Sequence, residues 1–219
     1  MTLDLFATAH DDTDTGQAPA DVLGPGAFLL RGFARSRLSV LQGDIDAVVA
    51  LAPLRHWLTP GGKRMSVAMT NCGDVGWISD RAGYRYGSHD PLSKQRWPSM
   101  PASFTALARE AAEAAGYRGF APDACLINRY SPDARLTLHQ DRDERDLDAP
   151  IVSVSLGLPA TFLWGGLHRS DRTRRVRLEP GDVVVWGGPS RLVYHGIAGV
   201  EGNFDAQAVR YNLTFRRAR

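Results

Sequence analysis

The chain has 219 residues, 43% hydrophobic and 23% charged, which suits one domain with a sizeable core. Its 26 basic and 24 acidic side chains leave a formal charge of +2, which permits a polyanionic partner without arguing for one. No apolar run is long enough to cross a bilayer, the start lacks a secretory signal, and two cysteines, Cys72 and Cys125, are too few for a disulfide framework. The expectation is a soluble cytoplasmic protein, not a membrane one, with two buried free thiols.

Residues Met1 to Ala20 include the acidic run Thr8-Ala9-His10-Asp11-Asp12-Thr13-Asp14-Thr15 and are predicted to form a flexible tail. After Gly24-Pro25-Gly26, Ala27 to Leu30 reads as a short strand. Leu38, Leu41, Ile45, Val48, Val49 and Ala52 recur at helical spacing, which predicts a helix over Leu38–Leu51. From Met69 to Pro101 glycines, prolines and aromatics (Trp77, Tyr84, Tyr86, Trp97) give the texture of a loop-rich lid or binding segment. Ser103 then caps a second predicted helix that stops at Gly116. From Cys125 the expectation is all β. Strands are predicted at Cys125–Tyr130, Arg135–Gln140, Ile151–Leu156, Thr161–Trp164, Val176–Leu178, Val183–Trp186, Tyr194–Gly196 and Arg210–Arg216. Turns such as Ser131-Pro132-Asp133 and Glu179-Pro180-Gly181-Asp182 separate them. Such spacing predicts a mainly β, α+β protein: a sandwich or jelly roll, with the two helices backing one sheet.

Among six histidines, His139 lies two residues from Asp141, so in an extended segment both side chains reach one face. His195, from a distant strand, can complete a triad. Two imidazoles and one carboxylate on one face of an octahedral metal leave three positions open, the pattern of non-haem iron(II) oxygenases. A His-x-Asp pair alone also occurs in surface turns, so the last strand matters. Arg210, Asn212, Thr214 and Arg216 share one face of it, and Tyr211, Leu213 and Phe215 share the other. Two inward arginines are costly unless an anion meets them, and a dicarboxylate suits their fork geometry. Asn128 and Tyr130, again two apart, can add neutral hydrogen bonds. Arg169, Arg172, Arg174, Arg175 and Arg177 form a basic cluster, which by itself is most simply a solvated face.

Asn128-Arg129-Tyr130, the run Leu138-His139-Gln140-Asp141-Arg142-Asp143-Glu144, Tyr194-His195-Gly196 and Arg210-Tyr211-Asn212-Leu213-Thr214-Phe215-Arg216 together resemble the signature of the AlkB family. Ala68-Met69-Thr70-Asn71-Cys72-Gly73 and Val183-Val184-Val185-Trp186-Gly187-Gly188 fit it too. The resemblance implies a double-stranded β-helix (jelly roll) core over residues 21–219, N-terminal supporting helices, and a nucleotide-recognition lid at about residues 55–100. It implies Fe(II), 2-oxoglutarate and O2 as cofactor and co-substrates. It also implies repair of 1-methyladenine and 3-methylcytosine in DNA by oxidative demethylation. The expected partner of a monomeric enzyme is alkylated single-stranded DNA, with double-stranded DNA and RNA left open.

By matching position, His139, Asp141 and His195 would hold iron, and Asn128, Tyr130, Arg210, Asn212 and Arg216 would hold 2-oxoglutarate. Trp77, Tyr84, Tyr86, Asp143 and Arg169 would meet the nucleotide. The chemistry agrees: a base must leave its stack at a cost of a few kcal/mol, and an aromatic platform such as Trp77 returns about 1–3 kcal/mol. Asp143 can accept a hydrogen bond from an exocyclic amine and favour the positive charge of a ring-methylated base. Lys63-Arg64, after Pro60-Gly61-Gly62, departs from the family, where an aromatic is expected. Two other readings share the metal and arginine pattern: an oxygenase acting on a protein or small molecule, and a non-catalytic cupin-like metal-binding module.

Overall fold

A computed structural model describes residues 20–201 and 208–219. The acidic run, and His10 with it, lies outside those residues. Along the described residues the order is β1 (Ala20–Gly24), β2 (Ala27–Leu30), α1 (Leu38–Leu51), β3 (Ala68–Gly73), β4 (Gly76–Asp80), β5 (Gly83–Gly87), α2 (Ala102–Ala114), β6 (Ala124–Tyr130), β7 (Leu136–His139), β8 (Ile151–Gly157), β9 (Ala160–Trp164), β10 (Arg174–Leu178), β11 (Val183–Trp186), β12 (His195–Val200) and β13 (Arg210–Arg216). A seven-stranded sheet runs β1-β2-β11-β8-β13-β6-β3, a four-stranded sheet runs β10-β9-β12-β7, and β4-β5 form a separate hairpin. The paired strands are antiparallel throughout, as a jelly roll requires.

The alternation along β13 divides the interior in two. Tyr211, Leu213 and Phe215 join Val152 and Val154 of β8 against Leu41, Ile45 and Val48 of α1 and Phe104, Leu107 and Ala111 of α2. Phe104 meets Phe215 edge-on at 5.9 Å, and the alanines of α2 let the helix lie close to the sheet. On the other face, Phe162, Trp164, Val176, Leu178, Trp186 and Ile197 fill the space between the two sheets. That second core surrounds the polar side of β13. Gly157 ends β8 at a φ of +74°, and a side chain there would stand 2.1 Å from the Val209 carbonyl oxygen, so the chain must turn on glycine.

Several expectations change. Residues 69–101 are rich in loop, as expected, but three strands not expected there, β3, β4 and β5, lie in or across them. β3 carries no apolar alternation because its polar side chains are satisfied internally: Thr70 donates to the Ala52 carbonyl at 2.7 Å, and Asn71 exchanges two bonds with the backbone of Trp77. Ser103 does not cap α2; Pro101 holds the N-cap, and the Ser103 hydroxyl donates to Asp44 of α1. Ala20, assigned to the tail, opens β1, and the strand expected at Tyr194–Gly196 begins at His195 and continues to Val200. The thiols are as expected, both buried and free, on facing positions of β3 and β6.

Candidate active site

The ends of β7 and β12 bring the three candidate ligands together. His139 faces His195 across the strand pair, and Asp141 follows in the loop just past β7. His139 Nε2 lies 3.6 Å and His195 Nε2 3.8 Å from the Asp141 carboxylate, and the three ligand atoms are within 4.8 Å of one another. Each imidazole donates Nδ1–H to a carbonyl two residues earlier, His139 to Thr137 at 2.9 Å and His195 to Val193 at 3.0 Å. That fixes the tautomer and leaves both Nε2 lone pairs free. Burial, with His139 alongside, pushes His195 down to about 4, so it is neutral at physiological pH. For Asp141 burial works upward, but Arg216, then the two histidines, outweigh it and hold the carboxyl well below its ordinary range. Asp141 and His195 are therefore both deprotonated before any metal arrives.

The two inward arginines of β13 have different fates. Arg216 donates to Asp141 Oδ2 at 2.8 Å and lies 3.2 Å from Glu144, so its charge is already met. Arg210, fully buried, donates to Ser155 Oγ at 2.9 Å and the Leu158 carbonyl at 3.2 Å. Its Nε has no partner, and it makes no ion pair with a described residue. Burial lowers it only to about 10, so it stays cationic. Asn128 Oδ1 is likewise unpartnered. Both residues face the same cavity, since Asn128 pairs with Asn212, and Tyr130 with Arg210, across β6 and β13. A buried cation left unpaired costs about 3–5 kcal/mol. An anionic ligand with a hydrogen-bond donor or polar edge removes that cost, and a 2-oxo acid bound to a metal on the triad fits this donor set. Nitrogen and oxygen ligands without a thiolate suit Fe(II).

The cavity, about 640 Å³, opens from the triad and Arg210 toward the β4–β5 hairpin. Trp77 and Tyr84 stand on its wall, stacked at 5.4 Å with planes 16° apart. The Trp77 indole donates to Asp143 at 2.8 Å, and Arg169 donates to the Leu138 carbonyl at 2.7 Å. Tyr86, expected beside the nucleotide, does not line the cavity; its hydroxyl donates to Glu144 at 2.5 Å. Arg216, expected at the co-substrate, is taken up largely by Asp141 and Glu144. Sequence reasoning missed Glu144 and Arg191 as a pair. Arg191 donates to Glu144 at 3.0 Å and to the Asp141 carbonyl at 2.6 Å, which braces the loop that carries the carboxylate ligand. The run Asp143-Glu144 was visible, but Arg191 gave no local signal. Of the other histidines, His56, His89 and His168 are exposed and stand apart from the triad.

An antiparallel jelly roll with a His-Asp-His cluster and an unpaired buried arginine at one end defines an iron(II)- and 2-oxoglutarate-dependent oxygenase, and residues 26–216 match the 2OG-Fe(II) oxygenase superfamily. Similarity is closer than the superfamily alone. The chain is 56% identical over 218 residues to the alpha-ketoglutarate-dependent dioxygenase AlkB of Salmonella typhimurium, covering 99% of this chain and 98% of the relative. It is equally identical, over the same span, to AlkB of Escherichia coli. A Caulobacter vibrioides AlkB homolog is 42% identical over 188 residues, 83% of this chain and 84% of that one. The solved structure of OsALKBH1 superimposes with a TM-score of 0.79 at 28% identity, covering 91% of this chain and all of that one. The chain belongs to the AlkB family.

Proposed function

We propose that this enzyme oxidatively demethylates N-alkylated bases, 1-methyladenine and 3-methylcytosine, in single-stranded DNA, as a repair reaction. The observation that carries this reading is the Trp77–Tyr84 stack on the wall of the cavity that holds the triad. An aromatic face beside a metal site receives a base turned out of its stack, a step least costly for a lesion or an unpaired strand. Lys63, Arg64, Arg135, Arg142 and Arg169 line the same cavity and suit the phosphates of the flanking strand.

His139, Asp141 and His195 would hold Fe(II), and Arg210, with Asn128, Tyr130 and Asn212, would hold 2-oxoglutarate. Arg216 would act on the co-substrate mainly by fixing Asp141. Bound there, iron supplies the activation of O2 that converts 2-oxoglutarate to succinate and CO2 and oxidises the N-methyl group, which leaves as formaldehyde. The residues do the rest. The Nδ1–H bonds keep both imidazoles aimed, Arg216 and Arg191 keep the Asp141 loop in place, and Trp77 with Tyr84 holds the base. Asp143 takes its exocyclic amine.

We read residues 21–219 as one domain whose lid spans about residues 55–100. One chain supplies every group named, which supports a monomer, and two free buried thiols suit the reducing cytoplasm. The test is mass spectrometry of alkylated oligonucleotides after incubation with the protein, Fe(II), ascorbate and 2-oxoglutarate. Loss of one methylene equivalent of mass from 1-methyladenine and 3-methylcytosine is expected, faster on single than on double strands. Turnover of 2-oxoglutarate with every oligonucleotide unchanged would overturn the reading.

A further inference from the structure

We propose that the groove between the free edges of β1 and β10 is a second phosphate-binding site, which holds the substrate strand at a distance from the reacting base. The inference rests on the demethylase reading above and gives a use to basic residues which that reading leaves idle.

Of the clustered arginines, only Arg169 lines the active-site cavity. Arg174, Arg175 and Arg177 line a separate open groove of about 570 Å³, with Ala20 to Leu23 on its far bank and Arg31 beside them. Both banks are sheet edges, since β1 pairs only with β2 and β10 only with β9. An edge strand presents backbone donors and acceptors that no neighbouring strand takes. Here Arg31 donates to the Arg177 carbonyl at 2.8 Å, so that carbonyl points into the groove. In an antiparallel pair the N–H and C=O of one residue point the same way, and the direction alternates along the strand. The Arg175 N–H therefore points into the groove too. Side chains alternate across the same strand. Val176 and Leu178 are buried, Arg174 shares their face, and Arg175 takes the opposite one. The edge at Arg175 thus has a guanidinium on each side and an N–H between them, three donors disposed about one anion.

Charge decides which stretch of the groove is open to a ligand. Arg31 is met by Asp21 and Asp182, and Arg177 by Glu179 and Glu201. Arg174 has only the Val22 carbonyl, at 3.4 Å, and Arg175 makes no ion pair with a described residue. The unmet cations therefore sit at the end of the groove nearer the triad. Register fixes how near. Arg174 pairs with Trp164 of β9, and Trp164 pairs with His195 of β12. Arg174 is thus two strand spacings, about 10 Å, from the backbone of a candidate iron ligand. The loop that joins β9 to β10 carries Arg169 on the cavity wall and the exposed Arg172 between the two sites. An acidic peptide would match the groove by itself. A strand whose base is turned in at the triad meets the groove as the continuation of its own path, and that continuity favours nucleic acid.

The measurement is kcat/KM on two single-stranded oligonucleotides with a central 3-methylcytosine, a trinucleotide and a strand of about 15 nucleotides, whose flanking phosphates extend past the cavity. Arg174→Ala with Arg175→Ala should lower the long-to-short ratio about 5-fold at about 0.1 M salt, the worth of one phosphate contact to a single strand. Arg174→Lys with Arg175→Lys keeps the charge and should restore most of that ratio. A folding fault lowers both substrates together, and a groove built for an acidic peptide affects neither; each leaves the ratio where it was, which overturns the proposal. Independently of turnover, anisotropy titrations of the long strand are run anaerobically with the full-length protein, Fe(II) and 2-oxoglutarate. The slope of log Kd against log salt should fall by about 0.7 in the double Ala variant; an unchanged slope also overturns the proposal. Demethylation of both oligonucleotides with an unmoved ratio removes this inference alone. Inactivity of the unaltered protein on both overturns the demethylase reading, and this one with it.

Discussion

At the scale of single residues, β13 shows how one alternating strand serves two purposes. Arg210 and Arg216 are equivalent by spacing, yet Arg216 finds Asp141 and Glu144 while Arg210 finds only neutral acceptors. The sequence pattern placed both on the inward face and left open how they divide; that division depends on Glu144, which reaches Arg216 from a loop 72 positions earlier in the chain. Arg210 is therefore the guanidinium that needs an outside carboxylate. Arg210→Met removes an unpaired buried charge and fills its space with apolar volume, so the co-substrate-free protein should be no less stable. Binding of 2-oxoglutarate, measured by anaerobic calorimetry with Fe(II), should weaken at least about 30-fold, because a buried carboxylate loses its charged partner. The thermal stabilisation given by saturating 2-oxoglutarate should vanish with it. Retained affinity would show that the carboxylate is held elsewhere.

At the scale of elements, strands with apolar alternation were legible and polar ones were not. β8, β11 and β13 fall within a residue of where periodicity places them, because their burial is what creates the period. β3, β4 and β5 are stabilised instead by side-chain bonds to backbone, such as Thr70 to Ala52 and Asp80 to Ala82, and such partners leave no period. The segment that carries the hairpin into α2 depends on one such cluster. Asp90 is buried, makes a forked ion pair with Arg55 at 2.5 Å on both arms, and accepts from Leu92 N–H and Ser93. Arg55 in turn lies over the Trp57 ring. Burial alone would raise the Asp90 carboxyl, but the Arg55 bond, then Leu92 and Ser93, hold it at about 2, below its ordinary 3.8. A depressed carboxyl contributes stability that is present above its ordinary value and is lost as pH falls through the folded one. The contribution is about 2 kcal/mol. Urea midpoints should therefore drop for the unaltered protein between roughly pH 4 and pH 2, and Asp90→Asn should be less stable at neutral pH with a flatter acid limb. Parallel acid limbs in the two proteins would remove Asp90 as the cause.

At the scale of the whole molecule, charge is nearly balanced, 26 basic against 24 acidic residues, but it is not evenly placed. The three carboxylates that line the cavity are all engaged: Asp141 by Arg216, Asp143 by Trp77, Glu144 by Arg191, Arg216 and Tyr86. Lys63, Arg64, Arg135 and Arg142 line it with no ion pair to a described residue, and Arg169 is bonded only to a carbonyl and set over the Tyr194 ring. The cavity therefore presents unbalanced positive charge while the surface as a whole does not. Composition could not reveal this, because the cations come from separate stretches of the chain that only the fold brings together. Lys63 and Arg64 extend that charge to the turn closed by Thr59, whose hydroxyl accepts from Lys63 N–H at 3.1 Å. If a single strand crosses this cavity, its phosphates release counterions as they bind, and log Kd rises with log salt by about 0.7 per phosphate met. Anisotropy titrations of a methylated single-stranded oligonucleotide over a salt series should give a slope of several such contacts. Lys63→Ala with Arg64→Ala should reduce it by about 1.4 and weaken binding alike for every base sequence, while a methylated nucleoside, which has no phosphate, should bind with little salt dependence. An unchanged slope in the double variant would place the strand on another face of the cavity and leave Lys63 and Arg64 as solvated charges.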